Sequence, residues 1–153
     1  MTATGPKAEV AVREATRADL LKVFRIEKQS FPQPWPYAAF ERFLDTPGFL
    51  IAEDADIVGY VVADSIPNHG TSIGHIKDLA VAPNRRGEGI GRLLLSRALS
   101  ALFVDGADRV KLEVRESNGT ARSLYEAFDF EIHHIVPNYY DDGEDAYVMV
   151  REA

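Results

Sequence analysis

The chain has 153 residues, 46% of them hydrophobic, which predicts a core large enough to need no disulfide or metal staple. It contains no cysteine, so disulfides, thiolate metal ligands and a cysteine nucleophile are excluded. The net charge of −7 argues against a site that grips nucleic-acid phosphates. Apolar runs too short for a membrane span, and an N-terminus without a signal-peptide core, predict a cytoplasmic protein.

The apolar periodicity predicts one domain over residues 8–153, preceded by a disordered tail over residues 1–7. In chain order the predicted elements are strand 9–13, helix 17–29, helix 37–44, strands 49–53, 57–63 and 72–82, a helix from the glycine loop to about residue 105, strand 109–115, helix 121–128 and strands 130–136 and 147–150. Thr16 is the predicted N-cap of the first helix, with Asp19 three residues on. The order predicts a mixed α/β sheet, with ligands bound at a carboxyl edge of its strands.

A glycine-rich stretch, residues 79–95, joins an apolar strand to an apolar-faced helix. Gly87, Gly89 and Gly91 let the backbone approach a ligand, and the loop N–H groups and the helix N-terminus favour an anion. The P-loop motif is excluded because no Gly-Lys-Ser/Thr begins the helix, and the dinucleotide motif G-x-G-x-x-G lacks its third glycine. The stretch therefore predicts an anion site, with a strand-to-helix turn that binds nothing as the alternative.

A second and more specific motif follows. Residues 112–118 read Leu-Glu-Val-Arg-Glu-Ser-Asn, and residues 121–130 read Ala-Arg-Ser-Leu-Tyr-Glu-Ala-Phe-Asp-Phe. Together with the Arg-x-x-Gly-x-Gly pattern of residues 86–91, this sequence resembles the GNAT N-acetyltransferase superfamily. Within that superfamily it is similar to the RimI-like ribosomal-protein alanine N-acetyltransferases.

The resemblance extends over roughly residues 9–151. It includes Asn-Tyr-Tyr at residues 138–140, Gly-Glu-Asp-Ala at residues 143–146, and the proline-rich segment that follows Glu27. One departure is Asp129, which stands where the family has glycine at a left-handed helix end.

The resemblance implies an α/β GNAT fold, with a mixed, mostly antiparallel central sheet flanked by helices. It also implies that acetyl-CoA is the co-substrate and that the acceptor is a protein or peptide N-terminus. The residues themselves include no convincing triad of metal ligands, which predicts that no metal takes part. A ribosomal-protein N-terminus that starts with Ala or Ser is the first hypothesis. Direct transfer needs no enzyme nucleophile, in keeping with the absence of cysteine.

Acetyl transfer to an amine needs a base and an acid. The resemblance puts the base at Glu113, on the polar face of its strand, where partial burial is expected to raise its pKa. A surface glutamate paired with Lys111 or Arg115 is the alternative from the strand pattern alone. His75, on the strand before the glycine loop, is the rival base, or else a histidine at the edge of the sheet with no catalytic role.

The resemblance gives the acid role to Tyr125, which would return a proton to the coenzyme A thiolate. A core tyrosine beside Leu124 and Phe128 is the alternative. Asn118 resembles a coenzyme A contact and is also a predicted helix cap. His133 and His134 are expected to point to opposite faces of a strand and to bind no metal.

The remaining predicted contacts fall into two groups. The residues predicted to bind acetyl-CoA are Leu79, Ala80, Val81, Arg86, Gly87, Glu88, Gly89, Ile90, Gly91, Arg92 and Asn118. The predicted walls of the acceptor pocket are Phe31, Trp35, Tyr139 and Tyr140, with plain packing as the alternative. Since backbone N–H groups are expected to bind the pyrophosphate, Glu88 and Ile90 are expected to tolerate substitution better than Gly89 or Gly91.

Two other functions remain open from the sequence. A GNAT enzyme could modify a small amine or a lysine side chain, and a closed acidic pocket would favour that function over an open groove. A non-catalytic acyl-CoA-binding regulatory domain is the alternative of another class, against which the presence of both Glu113 and Tyr125 argues.

Overall fold

The computed structural model describes residues 9–153, so the predicted tail over residues 1–7 lies outside the described residues. The strands are β1 (Ala11–Glu14), β2 (Leu50–Asp54), β3 (Asp56–Asn68), β4 (Thr71–Val81), β5 (Ala107–Arg115), β6 (Glu131–Val136) and β7 (Ala146–Glu152). The α-helices are α1 (Leu20–Ser30), α2 (Tyr37–Glu41), α3 (Ile90–Val104) and α4 (Gly119–Ala127). None of the helices within residues 9–153 combines the length and apolar character that crossing a membrane requires.

The strands form one sheet in the order β1-β2-β3-β4-β5-β7-β6. Neighbouring strands are antiparallel, except for β4 and β5, which run parallel. Parallel neighbours need a crossover connection, and α3 provides it. The predicted mixed, mostly antiparallel α/β fold is confirmed.

Apolar layers cover both faces of the sheet. On one face α3 and α4 pack against the strands, and α3 buries residues such as Leu95 and Leu102 at helical spacing. On the other face α1 and α2 cover the sheet, and α1 buries Leu20, Val23 and Ile26. We call these the α3/α4 face and the α1/α2 face.

The sheet splays open between β4 and β5. Their parallel pairing ends at Ile76 and Leu112, although β4 continues to Val81 and β5 to Arg115. Beyond that point β4 stays bonded to β3 on its other side. One backbone edge of the end of β4 is therefore left without a strand partner.

A β-bulge in β4 changes which of its side chains share a face. Between the pairs Val62–Asp78 and Ala63–Ile76, β4 has one residue more than β3, and that residue is Lys77. An extra residue interrupts the alternation of side chains. Lys77 and Asp78, consecutive in sequence, consequently both lie on the α1/α2 face.

The local structure differs from the prediction at two helix ends. Thr16 is followed by a 3₁₀ turn (Arg17–Asp19) before α1 begins, and its N–H donates to Asp19 Oδ2 at 2.7 Å. The second helix ends at Glu41 instead of residue 44 and continues as hydrogen-bonded turns. Asp129 has a φ of +68°, the left-handed helix end predicted for it.

Candidate active site

A cleft of about 480 Å³ opens on the α1/α2 face beside the splay. It lies between two loops, residues 31–36 after α1 and residues 137–145 between β6 and β7. Its lining residues are Trp35, Pro36, Ala39, Arg42, Phe43, His75, Lys77, Glu113, Tyr139 and Tyr140. A second groove, of about 570 Å³ between β1 and α3, contains no residue predicted for the site.

Glu113 and His75 form a hydrogen-bonded pair in this cleft. They stand on the adjacent strands β5 and β4, and His75 Nε2 lies 2.7 Å from Glu113 Oε1. Their side chains are only 15% and 14% exposed, and Lys111 Nζ lies 3.7 Å from Glu113 Oε2. Predicted as rival bases, these two residues are partners in the structure.

The predicted rise in the pKa of Glu113 is wrong. Burial alone would raise this pKa, but the hydrogen bond to His75 and the charges of His75, Lys111 and Lys77 hold it below its ordinary value. The strand pattern could not reveal that basic groups of β4 face this carboxylate. An ionised carboxylate only accepts hydrogen bonds, so in the neutral imidazole Nε2 carries the hydrogen and Nδ1 keeps the lone pair.

Aromatic side chains wall the cleft on both sides. Trp35 stacks on Phe43 with ring centres 5.7 Å apart, and Tyr139 meets Tyr140 edge to face at 5.0 Å. Three of the four predicted wall residues therefore line the cleft, whereas Phe31 packs against the apolar cluster beneath α1 and α2.

Glu144 fixes the tyrosine-bearing loop to the turn between β5 and α4. Its Oε1 accepts a hydrogen bond from Arg115 Nη1 and its Oε2 accepts one from the Ser117 N–H, both at 2.8 Å. Hydrogen bonds from Ser117 and Arg115 lower the pKa of Glu144 to about 2. The guanidinium of Arg115 also lies 4.0 Å from the Tyr140 ring centre and 3.4 Å from Gln33 Oε1. One arginine thus contacts both loops of the cleft.

A buried carboxyl pair lies beneath the opposite wall. Glu27 of α1 is 2% exposed and accepts hydrogen bonds from the Tyr60 hydroxyl and, at 2.9 Å, from the Trp35 N–H. Burial, followed by the hydrogen bond and charge of Glu27, raises the pKa of Asp78 well above its ordinary value. The raised pKa favours the protonated form of Asp78 beside the Glu27 carboxyl. The pair fixes the backbone of Trp35 to the sheet.

Sequence analysis missed this pair. Glu27 enters it only as part of a resembling segment, and Asp78 does not enter it at all. Two signals were present: Glu27 continues the buried stripe of α1, and consecutive charges at Lys77 and Asp78 interrupt a strand that otherwise alternates.

Tyr125 lies in the core, the environment predicted as its alternative, and its acid role stays a prediction. It is 9% exposed in the α3/α4 core, where its ring meets Phe130 edge to face at 5.9 Å. Burial, together with the charges of Asp78 and Tyr140, raises the pKa of Tyr125. The phenol therefore stays protonated at neutral pH.

The glycine loop forms an open backbone concavity next to the splay. Gly87 and Gly89 have φ values of +82° and +87°, and a Cβ at either position would meet nothing within 4 Å. Gly89 caps α3, so the free N–H groups of the first helical turn lie directly after this concavity. At Gly91 a Cβ would lie 3.7 Å from Leu124 and 3.8 Å from Val81, ordinary contacts that require no glycine. The open cradle at a helix N-terminus fits a pyrophosphate.

Side chains of this loop form hydrogen bonds with neighbouring residues of the protein. Arg86 Nε donates to the Val81 carbonyl at 3.1 Å, and Glu88 accepts a hydrogen bond from Arg85. Ile90 is 3% exposed and belongs to the α3/α4 core, so the expectation that it tolerates substitution does not fit its position. Asn118 caps α4 as predicted, with Oδ1 accepting the Ala121 N–H at 3.1 Å.

The expected geometry of the histidine pair on β6 is wrong. A bulge between Ile132 and His134 brings the two rings to one side, with His133 Nδ1 and His134 Nδ1 2.7 Å apart. Both side chains are exposed at the edge of the sheet. Across residues 9–153 no group of three His, Cys, Asp or Glu is arranged to hold a metal ion.

Comparison with known proteins agrees with this geometry. The model of the Acetyltransferase (GNAT) family matches residues 20–130, more than half of the chain. The chain belongs to the GNAT acetyltransferase family. As a GNAT acetyltransferase it is an acetyl-CoA-dependent acyltransferase.

Relatives of this GNAT acetyltransferase resemble it along almost their whole length. It is 36% identical to an N-alpha-acetyltransferase of Sulfolobus acidocaldarius, over 94% of this chain and 92% of the relative. It is 34% identical to a putative ribosomal protein bS18-alanine N-acetyltransferase of Bacillus subtilis, over 94% and 95% of the two chains. The crystal structure of Ard1 from Thermoplasma volcanium superposes with a TM-score of 0.87, at 28% identity, over 95% and 98% of the chains.

Proposed function

We propose that this GNAT acetyltransferase transfers the acetyl group of acetyl-CoA to the α-amino group of a protein N-terminus. The observation that carries the proposal is the His75–Glu113 pair, which lies in a cleft open between two loops and beside the glycine cradle. Relatives named N-alpha-acetyltransferase and ribosomal-protein alanine N-acetyltransferase support it. A ribosomal-protein N-terminus that starts with Ala or Ser is the first acceptor we propose.

In this proposal the donor is held mainly by backbone groups. N–H groups of Gly87 to Arg92 bind the pyrophosphate. The edge of Leu79–Val81 that has no strand partner bonds the pantetheine amides and the acetyl carbonyl, through the backbone groups that Asp78 and Arg86 leave available. Asn118, at the start of α4, adds a side-chain contact. Acetyl-CoA supplies the thioester whose carbonyl carbon the amine attacks.

The His75–Glu113 pair acts as the general base. An N-terminal ammonium must lose a proton before its nitrogen can attack, and Nδ1 of His75 holds the free lone pair. Glu113 accepts a hydrogen bond from the Nε2–H of His75 and stabilises the imidazolium that forms when Nδ1 takes the proton. This division of roles replaces the raised-pKa glutamate of the sequence hypothesis, because Glu113 is the more firmly ionised partner.

Tyr125 acts as the general acid. Its raised pKa keeps the phenol protonated at neutral pH, so its hydrogen is available for the departing coenzyme A sulfur. Tyr125 lies on the α3/α4 face of the sheet, whereas the base pair lies on the α1/α2 face. The proton taken from the amine and the proton given to the sulfur thus pass through different groups.

Three acceptors test the proposed function. The purified chain is incubated with acetyl-CoA and an Ala-starting peptide containing an internal lysine, the same peptide with a blocked N-terminus, or spermidine. We expect acetylation of the first peptide only, located on the α-amino group by fragmentation mass spectrometry. Modification confined to the lysine side chain or to spermidine would contradict the proposal.

A second experiment tests the identity of the acceptor. Peptides that begin with the N-terminal sequences of ribosomal proteins, each with an Ala, Ser, Met or Leu first residue, are compared by kcat/KM. Faster turnover of Ala- and Ser-starting peptides supports the proposed acceptor. Equal turnover of all first residues would leave N-terminal acetylation in place and contradict the Ala/Ser preference.

A further inference from the structure

Two cations of the acceptor cleft are not used by the chemistry proposed above. Arg42 and Lys77 both line the cleft, and neither forms an ion pair with any residue of the described part of the chain, 9–153. The Lys77 ammonium lies 5.7 Å from the centre of the Phe43 ring, so it stays beside the aromatic wall. The Lys77 side chain is partly exposed and that of Arg42 is exposed.

The other charges at the cleft are already compensated. Glu113 is the one carboxylate in the cleft lining, and it is engaged by His75 and Lys111. Arg115 is paired with Asp142 and Glu144. The lining of the cleft therefore has two cations, Arg42 and Lys77, and one carboxylate, Glu113, in a chain whose net charge is −7.

The lysines of the chain are also concentrated near the cleft. The chain contains five lysines, and two of them, Lys77 and Lys111, lie close enough to Glu113 to lower its pKa. Lys77 lies two residues after His75 in β4, so ordinary strand alternation puts both in the cleft, and the bulge adds Asp78 to the same face. Without the extra residue, the alternation of β4 would not give the α1/α2 face both Lys77 and Asp78.

The distance between His75 and Lys77 along β4 is close to the distance between the first and third residues of an extended peptide. Lys77 is two residues along β4 from His75, roughly 6 to 7 Å in an extended strand. Consecutive Cα atoms of an acceptor peptide are 3.8 Å apart, so its second and third residues lie at about that distance from the reacting nitrogen. A carboxylate at those positions would meet Lys77 and Arg42, whereas a lysine would meet like charges.

We infer that Arg42 and Lys77 select acceptor N-termini that carry Asp or Glu at the second or third residue. The inference rests on the proposed function, since it assumes that the reacting amine is an N-terminus at the His75–Glu113 pair. Partly exposed ion pairs are weak individually, and two of them give a preference of about tenfold in kcat/KM over a neutral side chain.

Three peptides that differ only in charge test this inference. They begin Ala-Glu-Glu, Ala-Gln-Gln and Ala-Lys-Lys and are otherwise identical and free of other charges. For the wild-type chain we expect kcat/KM to fall in that order, and the Glu-to-Gln ratio to shrink as salt is raised, because the ion pairs are screened. The variants Lys77→Glu, Arg42→Glu and their combination are expected to reverse the order step by step.

Arg97→Glu is the matched control. It makes the same charge change at an exposed arginine of α3 that lines the groove on the other side of the molecule. We expect its peptide order to equal that of the wild type. A control that shifted the order as much as Lys77→Glu would overturn the inference, because the effect would then come from net charge alone.

The outcomes separate this inference from the proposed function. N-terminal acetylation of all three peptides at equal kcat/KM, or fastest turnover of Ala-Lys-Lys, overturns the charge selection and leaves the proposed function in place. If none of the peptides is acetylated at its α-amino group, the proposed function fails and the inference fails with it.

Discussion

The two sides of the splay are built in different ways. On the side proposed for the donor the surface is backbone, formed by glycines in left-handed conformations and by the first turn of α3. On the side proposed for the acceptor it is made of side chains held by charged networks, with Glu144 under one loop and Glu27 under the other. A backbone site is encoded in one contiguous motif, whereas a side-chain site is assembled from distant segments.

This difference predicts which substitutions affect which substrate. Changes on the donor side should alter acetyl-CoA binding and leave the peptide KM unchanged. Changes in the acceptor networks should do the opposite. Tyr125 lies between the two sides and should affect the chemical step alone.

Tyr125→Phe is expected to have the largest effect of these substitutions. It removes the proton donor and keeps the buried ring, so kcat should fall by about 10²- to 10⁴-fold with acetyl-CoA affinity retained. Steady-state kinetics and calorimetric titration measure the two quantities. Tyr147→Phe, at a partly buried tyrosine that contacts Arg122, is the control and should leave kcat unchanged. A wild-type kcat in Tyr125→Phe would remove this residue from the mechanism.

Substitutions at Gly89 and Gly91, in the glycine loop and the first turn of α3, are expected to have the next largest effect. At Gly91 the chain has room for a Cβ, so Gly91→Ala should fold with wild-type stability. Its added methyl should nevertheless weaken acetyl-CoA binding by about tenfold or more if the first turn of α3 approaches the pyrophosphate closely. Gly89→Ala should also lose about 1 kcal/mol of stability, because its φ is left-handed. Calorimetry measures the acetyl-CoA affinity and thermal unfolding measures the stability. Unchanged acetyl-CoA affinity in Gly91→Ala would contradict the proposal that the first turn of α3 binds the pyrophosphate.

Glu144→Gln tests the acceptor networks. Loss of the charge weakens the bonds to Arg115 and Ser117 that position Tyr140, so the peptide KM should rise about tenfold with acetyl-CoA affinity unchanged. Glu53→Gln makes the same change at an ion pair with Arg13 far from the cleft and should alter neither constant. An equal loss of acetyl-CoA affinity in Glu144→Gln would show that the two sides are not independent.

The smallest expected effect is the pH dependence of the stability that Glu144 contributes. The pKa of Glu144 is lowered from 4.5 to about 2, so the folded state favours its ionised form. This contribution to stability is fully present above pH 4.5 and is lost as the pH falls toward 2. The stability difference between wild type and Glu144→Gln, from denaturant unfolding, should therefore be largest near neutral pH and shrink over that window. A difference that stays constant from pH 6 to pH 3 would contradict the assignment.

The same contrast explains what could be predicted from the sequence. The element order, the glycine loop and the cap at Asn118 follow from local patterns, and all three are present. The pairing of His75 with Glu113 depends on the parallel register of β4 and β5, which no local pattern encodes. Because that pairing was hidden, the pKa of Glu113 was predicted in the wrong direction.

Bulges account for the other misses. The bulge at Lys77 places two consecutive charges on one face, and the bulge beside His134 brings two histidine rings together. A strict two-residue alternation predicts opposite faces in both cases. Glu27 was overlooked for a related reason, since a carboxylate in a helix is ordinarily read as solvated unless its buried partners are known.

The most direct test of the account is a double-mutant cycle on the base pair. kcat for an Ala-starting peptide is measured for His75→Gln, Glu113→Gln and the double variant, with acetyl-CoA affinity as the check on folding. We predict that each single variant loses about 10²- to 10⁴-fold in kcat, and that the double variant is no slower than the worse single variant, because the two residues act as one unit. Wild-type kcat in either single variant, or losses that multiply in the double variant, would contradict a shared proton-accepting role.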